Sequence, residues 1–210
     1  LQNAAASQGS IVGVDDSKPQ KREAKETAII SVCAGQGVED AFLELHCDYV
    51  VSGGQTMNPS TEDFVSAVEK LNADHIFILP NNSNIVLAAS QAAQVCSDQD
   101  IHVLPSKTIP QGLSACVMFN PDVELEDNLA EMNEAIENVK SGEVTYAIKD
   151  TTYDGLEIKK DEYMGIFGKD ICVSCPDCME ATKKLLDKML DDDSELVTLI
   201  YGCLLYTSPS

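Results

Sequence analysis

At 210 residues, the chain is long enough to bury a sizeable core as one large domain or two small ones. Its formal net charge of −21 gives a surface that repels phosphate backbones and anionic lipid, which argues against nucleic-acid or membrane-surface binding by general electrostatics. A protein partner with a basic patch would instead be steered towards it.

The hydrophobic fraction of 44% is ordinary for a globular chain, and no apolar stretch reaches the length of a membrane span. No signal-peptide pattern is read at the start. The 8 cysteines are scattered through expected strands and helices rather than set out as a disulfide framework. Cys33, Cys47, Cys96 and Cys116 lie among apolar neighbours, where a reduced thiol packs as a small hydrophobe. The expected compartment is reducing, hence the cytoplasm.

Residues 1–26 are rich in Ala, Ser, Gln and Lys without sustained periodicity, and are expected to be a linker or disordered. Ile11-Val12-Gly13-Val14 reads as a stray strand, and Leu1 in place of an initiator methionine suggests a non-native start. Residues 27–121 then repeat one grammar four times. An apolar run at 29–33 ends in Ala34-Gly35-Gln36-Gly37, and one closing at Val50-Val51 ends in Ser52-Gly53-Gly54-Gln55-Thr56-Met57-Asn58-Pro59. The run at 75–79 ends in Pro80-Asn81-Asn82-Ser83, and that at 101–104 in Pro105-Ser106-Lys107-Thr108. Between them, amphipathic patterns at 38–45, from Ser60 onwards, at 85–95 and from about 111 to 118 predict helices, with Ser60-Thr61-Glu62-Asp63 as a capped start. Short apolar strands joined by helical crossovers mean an α/β fold, a parallel Rossmann-like sheet with flanking helices.

Asn120-Pro121-Asp122 marks a break. Residues 122–202 are expected to form a smaller α+β lobe: an acidic helix over 124–140, strands at 144–152, 156–158, 163–167 and 170–174, and a helix over 179–190. The last element, a strand over 196–201, is apolar on both faces and is expected to be buried in that lobe's sheet. The lobe reads as truncated, and residues 203–210 as a non-native tail that packs poorly.

Parallel strands send all four polar loops to one sheet edge, where open α/β folds bind ligands. The candidate pocket residues there are Gly35, Gly37, Ser52, Gly53, Gly54, Gln55, Thr56, Asn58, Asn81, Asn82, Ser83, Ser106, Lys107 and Thr108. Helix N-termini at that edge would face an anionic or hydroxyl-bearing group. The plainer alternative is that the same residues are caps and turn formers.

Other motifs carry less. Gly35-Gln36-Gly37 lacks the third glycine of a dinucleotide fingerprint, and no Walker A loop occurs. Cys172-Val-Ser-Cys175-Pro-Asp-Cys178 has zinc-like spacing, but no fourth ligand is placed nearby, so an incidental cluster around a turn is expected and no metal is assigned. His46, His75 and His102 fall at a helix end and at two strand starts, and are read as structural. No catalytic residue is picked out.

Three phrases in order, Gly53-Gly54-Gln55-Thr56-Met57-Asn58-Pro59-Ser60-Thr61, Leu79-Pro80-Asn81-Asn82-Ser83-Asn84-Ile85 and Lys107-Thr108-Ile109-Pro110-Gln111-Gly112, carry a family resemblance. With Ala34-Gly35-Gln36-Gly37, Ser141-Gly142-Glu143-Val144-Thr145, Asp150-Thr151-Thr152 and Asp154-Gly155, they cover roughly residues 28–202. This pattern resembles the C-terminal region of the dihydroxyacetone-kinase-like ATP-binding subunit of bacterial fatty acid kinase. The resemblance implies a DegV-related fold and a parent whose ATP and magnesium sit in an N-terminal domain outside this chain, so no cofactor is expected here. It implies a fatty-acid-binding partner protein whose bound acid is phosphorylated on its carboxylate, a place in phospholipid metabolism, and self-association of the full-length protein as a further expectation. The reading is a non-catalytic binding and docking region of a fatty acid kinase subunit, with a stand-alone domain for a fatty acid or other carboxylate as the alternative. A third, enzymatic reading, with Lys107 or a cysteine acting on a substrate, ranks last.

Overall fold

The computed structural model of the chain describes residues 25–53 and 58–202. The expected linker up to residue 24 with its stray strand, pocket candidates Gly54, Gln55 and Thr56, and the tail at 203–210 lie outside the described residues.

The first lobe alternates as its pattern dictates: β1 (Lys25–Cys33), α1 (Gln36–Glu44), β2 (Tyr49–Ser52), α2 (Thr61–Glu69), β3 (Ala73–Leu79), α3 (Val86–Val95), β4 (Asp100–Val103) and α4 (Ile109–Met118). All strand pairs in this sheet are parallel, in the order β2-β1-β3-β4. The period of two in β1 divides its side chains between two cores. Ala28, Ile30 and Val32 pack with Phe64, Ala67 and Val68 of α2 and Ala89 and Ala92 of α3. Ile29 and Cys33 pack on the other face with Phe42 of α1 and Ala115 and Cys116 of α4. A sheet buried on both faces explains why the strands read as nearly continuous apolar runs.

Two element bounds differ from expectation. β1 starts at Lys25, where the Lys25 ammonium meets the Asp48 carboxylate at 2.5 Å and that carboxylate also accepts from the Ile29 amide. α4 starts at Ile109, because Thr108 caps it and Pro110 supplies a fixed φ in the first turn.

Helix α5 (Leu125–Asn138) follows the expected break, yet its Met132 and Ile136 are buried in the same core as α1 and α4. The expected boundary at 121/122 therefore does not detach α5 from the parallel sheet. Buried Asn128 fixes the connection: its carboxamide accepts from the Asn120 amide at 2.8 Å and donates to the Asn120 carbonyl at 2.8 Å.

The remainder is antiparallel. β5 (Gly142–Tyr146), β8 (Tyr163–Phe167) and β9 (Asp170–Cys175) form a three-stranded sheet in the order β5-β8-β9, and β6 (Thr151–Tyr153) pairs with β7 (Leu156–Ile158). The single strand expected over 144–152 is thus two, β5 and β6. Asp154 and Gly155, both with positive φ, make the β6–β7 turn. Helix α6 (Cys178–Met189), capped by Asp177, lays Ala181 and Leu185 against Val173 and Cys175 of β9.

The strand expected over 196–201 is absent, which corrects the expectation from sequence. Leu196 is 85% exposed and Leu199 62%. A strand apolar on both faces needs cover on both. The one helix that caps this sheet, α6, already commits its buried side to Val173 and Cys175.

Gly165 lies where α6 crosses β8: an added Cβ would stand 2.9 Å from Val173 Cβ and 3.3 Å from Leu185 Cβ. Gly165→Val should lower unfolding stability by about 1–3 kcal/mol through overpacking, measured by urea denaturation. An unchanged midpoint would show that α6 can shift at no cost.

Candidate functional site

The chain steps from β1 to β2 on one side and returns past β1 to β3 on the other, so the crevice between β1 and β3 is the sheet's topological switch point. The helices that follow these strands, α1 and α3, lie on opposite faces. Asn81, the second residue after β3, fills the crevice. It adopts a left-handed φ of 56°, a conformation Asn tolerates better than most residues, and is only 6% exposed.

From there Asn81 Nδ2 donates to Ser31 Oγ at 2.8 Å and to the Val32 carbonyl at 2.9 Å, both on β1. Its backbone amide donates to Ser106 Oγ at 3.1 Å, in the loop after β4. One residue therefore ties three of the four loop-bearing strands together. Ser31 and Ser106 are fully buried, and these bonds account for hydroxyls that an apolar core would otherwise penalise. Asn81 Oδ1 is buried without a hydrogen-bond partner among the described residues. It faces α4 at Gly112, where an added Cβ would stand 2.1 Å away.

Around this hub the loops differ in how their helices begin. Ser60 caps α2 in a reciprocal capping box with Asp63, which holds the Asp63 carboxyl below its ordinary value through hydrogen bonds from Ser60. Thr108 caps α4, accepting from the Gln111 amide, and its hydroxyl meets Ser141 Oγ at 2.7 Å just before β5. Gln111 returns to the loop, accepting from the Lys107 amide at 2.8 Å and donating to the Ile136 carbonyl at 3.0 Å. No side chain caps α1 or α3. Those are the two helices flanking the switch point, and their free N–H groups make that crevice the most anion-receptive place on the edge.

The candidate residues fall into two groups. Asn81 and Ser106 are buried clamps, Gly53 is buried against Pro59, and Thr108 is a half-buried cap. Gly35, Gly37, Ser52, Asn58, Ser83 and Lys107 are exposed around the rim, and Asn82 is half-buried, accepting from the Asn84 amide in an Asx turn. Gly35 takes φ 93° at the start of α1, with nothing near the place of a Cβ, so its glycine is required by conformation rather than by space. Ser31, Gln111 and Ser141 were not among the residues expected from sequence. A serine inside an apolar strand, Ile29-Ile30-Ser31-Val32, was the available signal, since a buried hydroxyl must find a partner.

The cysteines offer no nucleophile at this edge. Burial first, and Glu39 second, push the Cys33 thiol up to about 11, and burial pushes Cys47 up to about 12. In β9, Cys172 and Cys175 stand an odd number of residues apart, on opposite faces of the strand, with Cys175 buried against α6.

A parallel α/β sheet with polar loops gathered at its carboxyl edge, followed by a small antiparallel sheet, defines a ligand-edge α/β protein. The family model for the FakA-like C-terminal region of fatty acid kinase matches residues 28–206, and the chain belongs to that family. It is 47% identical over 206 residues to Protein YloV of Bacillus subtilis (strain 168), covering 96% of this chain and 37% of that protein. It is 46% identical to an uncharacterized protein of Staphylococcus aureus (strain MRSA252), covering 87% of this chain and 33% of that one. An uncharacterized protein of Staphylococcus epidermidis (strain ATCC 35984) is 43% identical, over 90% of this chain and 34% of its own length. The chain thus spans about a third of the length of these relatives.

Substitutions at the clamp and the titration of the buried thiols test this geometry. Asn81→Ala strands the buried Ser31 hydroxyl and should cost about 1–3 kcal/mol of stability by urea denaturation. Gly112→Ala drives a methyl group into a carboxamide that is held on its other side by Ser31 and Val32, and should cost a similar amount, about 1–3 kcal/mol. The raised thiols give an alkaline limb. Their contribution is complete below the ordinary thiol value of 9.0 and is lost as pH rises through about 11 for Cys33 and about 12 for Cys47. Stability measured against pH should therefore fall over that window, and fall less in Cys33→Ala.

Proposed function

We propose that the chain is a non-catalytic C-terminal binding and docking region of a fatty acid kinase subunit, acting in the cytoplasm. In this reading it supports phosphorylation of a fatty acid presented by a partner protein, on the route to phospholipid. ATP and magnesium belong to another domain of the parent protein. The observation that carries the reading is the family match over residues 28–206. The charge of −21 supports docking, since it would steer a partner carrying a basic patch and hasten encounter at low salt.

The test is titration calorimetry of the chain with a fatty-acid-loaded binding protein from the same cell. Saturable binding is expected, weaker at about 1 M than at about 0.1 M salt, where the Debye length shrinks from about 10 Å to about 3 Å. Absence of binding at low salt, also for the chain extended to the full length of its relatives, would contradict the reading.

A specific observation favours a second reading, a domain that itself binds a fatty acid or other carboxylate. The uncapped starts of α1 and α3 flank the crevice between β1 and β3, where their N–H groups could meet a carboxylate. Delipidated protein should then gain about 2.7 kcal/mol of stability when fatty acid is present at about 100 times its dissociation constant. An unmoved melting temperature would leave the docking reading alone.

A further inference from the structure

We propose that His75, Asp100 and His102 form a binding site for a divalent transition metal of the zinc class, at the edge of the parallel sheet opposite the polar loops. The register builds it. His75 of β3 is the direct cross-strand partner of Asp100 of β4, and His102 follows Asp100 by two residues, so all three side chains leave one face of two adjacent strands. Their ligating atoms all lie within 4.8 Å of one another. His75 Nδ1 is 2.7 Å and His102 Nε2 3.0 Å from the same oxygen, Asp100 Oδ2.

The chemistry of that cluster asks for a cation. His75 Nδ1 can satisfy the carboxylate with a proton. His102 Nε2 is shielded from water and makes no hydrogen bond of acceptable geometry, although the carboxylate oxygen is its near neighbour. A lone pair on that nitrogen facing a carboxylate oxygen is repulsive, and a single ion between the three donors removes the conflict. Ligands about 2.0–2.1 Å from a tetrahedral zinc are spaced about 3.3 Å apart, so the observed 2.7 and 3.0 Å need to open by only a few tenths of an ångström. Two imidazoles and a carboxylate suit zinc, cobalt or nickel, and not calcium or magnesium, which take oxygen donors.

Two further features fit. The Phe77 ring lies edge-on to the His102 imidazole, with centroids 5.8 Å apart and an interplanar angle of 82°, which holds that ring in place. Asp100 is half exposed, leaving an entry path and room for water or a partner's donor as the fourth ligand. Bound there, the ion would staple the short strand β4 to β3.

The experiment uses the 210-residue chain carrying Cys172→Ser, Cys175→Ser and Cys178→Ser together, so that thiols of the cysteine cluster cannot supply the site. Zinc is measured per chain by elemental analysis after dialysis against buffered Zn²⁺, and Co²⁺ is added separately as a spectroscopic probe. One zinc per chain is expected, with a higher melting temperature that EDTA reverses. Cobalt should give the visible bands of a nitrogen- and oxygen-ligated ion without intense thiolate absorption in the near ultraviolet. His75→Gln and His102→Gln should each weaken zinc binding by more than about 100-fold, since loss of even an outer-shell partner costs about 10–100-fold. Both variants should keep the metal-free melting temperature and circular dichroism of the parent, which separates ligand loss from misfolding. Asp100→Asn provides a third, more exposed substitution with the same expected effect. The proposal is overturned if the chain lacking the three clustered thiols binds no zinc, or if its zinc affinity is unchanged by the histidine substitutions.

Discussion

The carboxamide of Asn81 is the contact on which the arrangement of the binding edge depends. A parallel sheet whose order reverses between β1 and β3 leaves a gap at the carboxyl ends of those strands. Here one side chain bridges it, bonded to Ser31 and Val32 on one side while its own amide reaches Ser106 beyond β4. The bonds are buried, so water does not compete for them. Gly112 must lack a side chain for this carboxamide to fit beneath α4, which couples a loop residue to a helix 31 positions later. Rigidity at the base of the crevice leaves the exposed rim, Gly35, Gly37, Ser83 and Lys107, to meet a ligand or partner.

Much of this was legible in the sequence, and the reasons are local. Strands at 29–33 and 75–79 are buried on both faces and therefore show as unbroken apolar runs, while Ser60 with Asp63 and Thr108 with Gln111 announce helix starts through their capping chemistry. The edge itself followed from strand direction. Pairings between residues far apart in sequence were not legible. Nothing near Asn81 shows that its partners are 49 and 50 residues back, so it read as one loop amide among several rather than as the clamp. Likewise, His75 and His102 at two strand starts gave no hint that register would bring both to one carboxylate.

The failures have physical causes as well. An acidic helix after a proline break looked like the start of a new lobe, but the apolar side of α5 is complementary to α4, and burial of Met132 and Ile136 decided its place. The apolar run at 196–201 has strong strand propensity, yet propensity describes fit to a half-buried surface, and no described surface receives it. Its exposed Leu196 and Leu199 stand apart from the small core that α6 completes on β9.

Family membership and edge geometry converge on one picture, in which the loop edge meets an acyl carboxylate or the protein that carries it. The most direct measurement is amide chemical-shift mapping of the isotope-labelled chain during titration with a long-chain fatty acid, and then with the loaded partner protein. The account predicts that perturbed amides cluster at Gly35, Gly37, Asn82, Ser83 and Lys107, with the β-strand amides beneath them unmoved. Perturbations confined to the opposite edge or to the antiparallel sheet, or none with either addition, would contradict it.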